Sequence, residues 1–166
     1  MTYKTSRKSL KPTVNYIHES NLSQLNSKTA FICKKSRSLI KKLILKYLFK
    51  SFEINIVNDN VLISALETFS LASIVYSTIY MERLSFGENF NFYEYFYTFL
   101  TCNIIATKYL IDYNLSNEVL TRNFDINISQ INYNEGKVLA SLNYEISVKD
   151  EHFCAAIQKF LILTEK

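Results

Sequence analysis

The feature that most constrains the fold is a long stretch without charge in the second half of the chain, Tyr95–Thr107. When it is wound into a helix, its apolar side chains point to nearly every side. A helix that is apolar all round is typical of the centre of a bundle, where other helices surround it. The sequence therefore predicts a buried central helix over residues 92–110. Its apolar residues include Tyr95, Phe96, Phe99, Leu100, Ile104, Ile105 and Ala106.

Glycine and proline, the residues that most often punctuate turns, are scarce. The 166 residues contain 2 Gly and 1 Pro, which is too few for the many turns that a sheet protein needs. We therefore expect an all-α protein of long helices joined by polar loops. A chain of this length is expected to form one domain with one core.

Helical periodicity continues on both sides of the central stretch. Residues 36–52 predict a basic amphipathic helix, and residues 1–35 a polar, basic segment that is partly ordered. A single domain is then expected over residues 36–166. The further helices predicted before the central one are Val61–Phe69 and, after a bend at Ser70, Leu71–Leu84. Those predicted after it are a short helix capped by Ser116 and running to Arg122, Gln130–Tyr144 capped by Ser129, and Val148–Leu163.

Composition argues against several classes of partner and cofactor. The net charge of +4 is mild for a nucleic-acid-binding domain, so no direct nucleic-acid contact is expected. The uncharged stretches are shorter than the roughly 20 residues of a membrane span, and no signal peptide is evident. Three widely spaced cysteines, Cys33, Cys102 and Cys154, predict reduced thiols in the nucleus or cytoplasm and no zinc site.

No sequence motif of catalysis is present. The chain lacks a nucleophile elbow, an HExxH pair and a glycine-rich phosphate loop. Scattered Ser, Asp and His residues, among them His18 and His152, leave a hydrolase only as a weak alternative. We therefore expect a protein that is not an enzyme and that needs neither a metal nor another cofactor.

Two charged residues stand in apolar surroundings. Lys108 is the only charge between Glu94 and Asp112 on the predicted central helix. Glu135 lies between Ile131 and Leu139 on the apolar face of a later helix. Because an unpaired buried charge is very costly, three arrangements are open. The two can pair with each other, each can reach solvent at the edge of the core, or both can face a groove that a partner fills.

Residues 70–148 resemble the cyclin box. Tyr80–Leu84 (Tyr-Met-Glu-Arg-Leu) is similar to the cyclin Tyr-Ile-Asp-Arg-Phe segment, and Ile105–Tyr109 (Ile-Ala-Thr-Lys-Tyr) to Leu-Ala-Ser-Lys-Phe. Glu135 with Leu139 and Leu142–Ile146 resembles the pattern of the fifth box helix. The run Ala106–Asp112, followed by Ser116 and Asn117, resembles the P- and U-type cyclins of yeast phosphate signalling, plants and protists more than other cyclins.

The resemblance implies a five-helix cyclin-box bundle around a buried central helix, with extra N- and C-terminal helices. It implies a single box, since too few residues follow Tyr144 for a second one. It also implies a regulatory subunit that binds and activates a cyclin-dependent Ser/Thr kinase, monomeric apart from that kinase. ATP and Mg²⁺ would then bind the kinase.

The resemblance assigns Lys108 and Glu135 to hydrogen bonds with kinase backbone beside the kinase C-helix. The apolar positions that match cyclin contacts with the C-helix are Ile105, Tyr109, Leu139, Tyr144 and Ile146; each of these also fits an ordinary core position.

Two residues depart from the family pattern. Glu82 replaces an Asp that forms an internal salt bridge in cyclins, and the sequence indicates no Arg partner for it. Gly136 weakens a helix interior by about 1 kcal/mol relative to Ala, which suggests close approach of another chain.

Two other functions stay open for a cyclin-like fold without a kinase. One is an adaptor that contacts DNA or transcription factors, for which the basic surface is weak. The other is an adaptor at a membrane surface that uses the basic helix near residues 36–50. For that helix, packing on the core with solvated lysines is the plainer interpretation.

Overall fold

The computed structural model describes residues 34–49, 67–84, 86, 91–111, 114–122, 124 and 126–162. Within these ranges every regular element is a helix, which confirms the all-α prediction. Most of the segment 1–35 and of the predicted helix Val61–Phe69 lies outside the described residues. The six helices are α1 (Lys34–Leu48), α2 (Leu71–Arg83), α3 (Phe92–Leu110), α4 (Asn117–Thr121), α5 (Ile128–Ser141) and α6 (Asp150–Ile162).

The helix most completely enclosed is α2, which packs against α1, α3 and α6. Every residue of α2 from Leu71 to Met81 is buried. Helix α3 packs against α2 and α5 and is continuously buried only from Phe99 to Thr107, whereas Tyr93 in its first turn is 72% exposed. The sequence predicted that α3 would be the buried central helix, whereas in the structure α2 is enclosed more completely. The first turns of α3 tolerate solvent because tyrosine has a polar hydroxyl at its tip.

Side-chain caps set where the helices begin. Ser70 caps α2, and Ser116 caps α4 as the sequence predicts. Helix α5 begins at Ile128 because the Asn127 side chain accepts the backbone N–H of Ser129 at 2.9 Å. The prediction that Ser129 caps this helix is therefore wrong: its side chain is not the group that satisfies the first free N–H groups.

Helix α5 ends at Ser141, three residues earlier than the sequence predicts. Asn143 and Tyr144 have φ angles of 50° and 58°, in the left-handed region. The N–H of Tyr144 donates to the carbonyl of Leu139 at 2.8 Å, which closes the end of the helix. The chain then runs without regular structure through residues 145–149 to the start of α6.

Candidate functional site

Lys108 and Glu135 lie side by side at the edge of the core. Lys108 Nζ on α3 is 2.6 Å from Glu135 Oε1 on α5, and the two side chains are 30% and 20% exposed. Two of the three arrangements left open by the sequence thus occur together: the charges pair, and both keep contact with solvent. This geometry avoids the cost of an isolated buried charge.

A third residue, Asn117, holds the Glu135 carboxylate from the other side. Its Nδ2 donates to Glu135 Oε2 at 2.6 Å and to Asn132 Oδ1 at 2.8 Å. Asn117 is only 8% exposed, and its own Oδ1 is buried without a hydrogen-bond partner. The carboxylate is therefore fixed from α3 and from α4 at once. The sequence assigned no role to Asn117, because an Asn directly after a helix cap gives no sign of a contact with another helix.

The charge pair offers hydrogen-bonding capacity to another molecule. An ammonium has three donors and a carboxylate about four acceptor sites, so the contacts seen here leave some of both unused. Among the described residues no group of His, Cys, Asp and Glu is arranged to hold a metal ion. The chemistry of the pair suits recognition of backbone N–H and C=O groups on another molecule.

The five apolar residues that the resemblance assigns differ in accessibility. Ile105 is 3% exposed and belongs to this chain's own core. Tyr109, Leu139 and Ile146 are half-buried and pack against that core. Tyr144 is 70% exposed. A partner can therefore reach Tyr144 fully and three others in part, whereas Ile105 supports the surface from below.

The ring of Tyr109 rests on aromatic side chains of two other helices. Its centroid is 6.0 Å from that of Tyr76 on α2, and Tyr76 lies 5.7 Å from Phe153 on α6. Burial, followed by the neighbouring Tyr109 and Asp150, raises the pKa of Tyr76 to about 12. The first turn of α6 thus helps to support the residue next to Lys108.

The segment that carries Ile146 is attached to the end of α2. Tyr80 Oη donates to the carbonyl of Ile146 at 2.6 Å. Arg83 Nη1 donates to the carbonyls of Glu145 and Ser147, at 3.0 and 3.2 Å. These contacts join residues 62 to 66 positions apart, and no local sequence pattern indicates them.

A concave region lies on another side of α5 from the charge pair. It is an open groove of about 1000 Å³. Lys137 in its lining places its ammonium 4.6 Å from the centroid of the Tyr133 ring, and Tyr93 and Tyr97 of α3 line it too. Along α5, Tyr133 and Lys137 fall on a different face from Glu135 and Leu139. The groove and the charge pair are therefore separate surfaces.

Among the helices that the structure describes, none combines the length and the apolar character that crossing a bilayer requires. No protein-family model matches the chain, and no curated protein or solved structure matches it either.

Proposed function

We propose that this protein is a regulatory subunit that binds and activates a cyclin-dependent Ser/Thr kinase by docking the kinase C-helix. The observation that carries the proposal is the partly exposed Lys108–Glu135 pair, 2.6 Å apart and fixed by Asn117. The resemblance to the cyclin box implies that these same two residues form hydrogen bonds with the backbone of the kinase.

The proposed fold assignment follows the same resemblance. Helices α2 to α5 would be the second to fifth helices of a single cyclin box, and α1 and α6 would flank it. The Tyr-Met-Glu-Arg-Leu segment ends α2, Lys108 lies in the last turn of α3, and Glu135 lies on α5. In support of this assignment, the two charges that are 27 residues apart in the chain meet directly.

The proposed mechanism is a shift in the kinase's own conformational equilibrium. A kinase alone samples inactive positions of its C-helix, and a surface that fits only the inward position stabilises that position. Lys108 would donate to exposed carbonyls and Glu135 would accept backbone N–H groups, while Tyr144 and the half-buried Tyr109 and Leu139 would pack against the helix. The inward position restores the ion pair inside the kinase that orients the ATP phosphates.

The proposal is tested by co-expressing the chain with each cyclin-dependent kinase of the same organism and measuring co-purification and kinase activity. Lys108→Ala and Glu135→Ala are expected to weaken kinase binding at least about tenfold, because each removes a desolvated charged contact. Lys137→Ala and Glu151→Ala are matched controls, since both residues are exposed, Lys137 lies on a different face of α5 from Glu135, and Glu151 lies on α6. Circular dichroism of each variant shows whether the fold persists.

A wild-type chain that binds none of these kinases would exclude the proposed function. Wild-type affinity in folded Lys108→Ala and Glu135→Ala would remove the pair from the binding surface.

One observation keeps the membrane-surface alternative open. On α1, Lys42 and Lys46 are exposed and Leu39 is 48% exposed, so part of this helix presents basic and apolar groups to solvent. Flotation with anionic liposomes that is lost at high salt would favour this alternative. Its absence at low salt would exclude it.

A further inference from the structure

We infer that Tyr80 and Arg83 are positioning residues that hold the segment 145–147 and thereby set the direction in which Tyr144 is presented to the kinase. This inference rests on the proposed function, since it concerns the same surface. Under this inference neither Tyr80 nor Arg83 contacts the kinase, and both act through the backbone that follows α5.

The first support for the inference is the set of hydrogen bonds from Tyr80 and Arg83 to the segment 145–147. Three consecutive carbonyls, those of Glu145, Ile146 and Ser147, each accept a hydrogen bond from the end of α2, at 3.0, 2.6 and 3.2 Å. Tyr80 is fully buried, so its hydroxyl has a fixed origin in the core. A planar guanidinium can serve two carbonyls at once, which an ammonium on a flexible chain does less well.

The second support is that regular secondary structure does not fix this segment. Residues 145–149 are neither helix nor strand, and the backbone N–H groups of Glu145 and Ile146 donate to carbonyls three and two residues back, those of Leu142 and Tyr144. The two preceding residues, Asn143 and Tyr144, adopt left-handed φ angles. Left-handed backbone is unfavourable for residues with a side chain and persists where surrounding structure fixes it.

The position of the Tyr144 ring depends on this backbone. The side chain is 70% exposed, so packing against this chain contributes little to its direction. Releasing the carbonyls that follow Tyr144 would let the left-handed turn relax and would move the ring. Binding of the kinase would then have to order the Tyr144 side chain, and this loss of conformational entropy would weaken the affinity.

The experiment is a double-mutant cycle on kinase affinity, with the co-expressed cyclin-dependent kinase as the probe. Arg83→Ala is expected to weaken binding about tenfold in the wild-type background, because two charge-assisted hydrogen bonds are lost. In a Tyr144→Ala background the same change should cost less than about twofold, because the residue through which Arg83 acts is gone. Arg83→Lys should recover part of the affinity, and Tyr80→Phe, which keeps the ring in the core, should lose part of it.

A second readout does not require the kinase. Arg83→Ala should speed hydrogen exchange at the amides of Glu145 and Ile146 several-fold while the amide of Leu100 in the core stays unchanged. A loss of affinity that is equal in both Tyr144 backgrounds, or unchanged exchange at these amides, would overturn the inference. If the wild-type chain binds no kinase, the proposed function fails, and the exchange measurement still decides whether Arg83 holds the segment.

Discussion

Lys159 on α6 lies 2.9 Å from Glu82 on α2, and Tyr47 on α1 bonds to both. Lys159 Nζ donates to Tyr47 Oη at 2.7 Å, and Tyr47 Oη donates to Glu82 at 3.3 Å. The same ammonium stands 4.1 Å from the centroid of the Tyr47 ring. Glu82, for which the sequence indicated no Arg partner, thus has a Lys partner on the last described helix. One polar cluster joins three helices at the surface.

We predict a small, salt-sensitive contribution of this cluster to stability. Lys159→Met should lower the free energy of unfolding by about 0.5–1 kcal/mol at low salt, because the charged groups are 44% and 45% exposed and solvent screens them. Denaturant unfolding at low and high salt measures the effect. Lys149→Met, an exposed lysine in the segment before α6, is the control. A loss that is the same at both salt concentrations would contradict the ionic origin.

Alkaline pH is expected to destabilise the fold through two tyrosines, the buried Tyr76 and the half-buried Tyr95. Burial raises the pKa of Tyr76 to about 12 and that of Tyr95 to about 12, against 10 in the unfolded chain. Because the folded pKa is the higher one, the stability from this source is complete below pH 10 and is lost as pH rises toward 12. Urea midpoints between pH 9 and 12 should fall, by an amount equivalent to about 1–2 kcal/mol per tyrosine. Tyr76→Phe should show a shallower fall, and an identical slope would refute the assignment.

Substitutions of Ile105 and Tyr144 should separate core from surface among the residues assigned by the cyclin resemblance. Ile105→Ala removes a side chain that is 3% exposed and should cost about 2–5 kcal/mol of stability. Tyr144→Gly relieves a left-handed backbone and should stabilise the fold by about 0.5–1 kcal/mol while weakening kinase binding. Thermal unfolding and affinity are measured on both variants. Destabilisation by Tyr144→Gly would show that its ring supports the fold.

Gly136 offers a further test, because a Cβ built at this position meets nothing within 4 Å. Gly136→Ala should therefore raise the free energy of unfolding by about 0.5–1 kcal/mol, since Ala loses less backbone entropy in a helix. The packing of this chain does not explain the glycine. If the variant is stabilised yet binds kinase less well, close approach of the partner explains it; unchanged affinity would leave the glycine without a role in binding.

The sequence predicted the helices better than the contacts between them. The uncharged stretch and the scarcity of glycine were enough for an all-α protein, and Ser116 was identified as a cap because capping is local. The end of α5 was missed because its left-handed turn is formed by Asn143 and Tyr144 rather than by a glycine. The spacing of apolar residues along a sequence reveals that a segment is helical. It does not show where this helix ends, because no glycine marks the left-handed turn.

The candidate site was predictable only in part. Lys108 and Glu135 were conspicuous because each interrupts an apolar face, and pairing was one of the arrangements that their charge allowed. Within the site and its support, Asn117 and Arg83 looked like ordinary polar residues. Their importance comes from partners 18 and 62 residues away, and such contacts depend on how the helices pack. The same is true outside the site of Lys159, whose partner Glu82 is 77 residues away.

The attachment of residues 145–147 to α2 also bears on how the protein is made. The hydrogen bonds close a loop of more than 60 residues, so their entropic cost must be met after α3, α4 and α5 have been added to the chain. A ribosome-bound chain that stops before Glu145 contains Lys108 and Glu135 but lacks the edge formed by this segment. Synthesis past Ser147 is therefore required before this edge can form, so it is completed only after most of the polypeptide has been made.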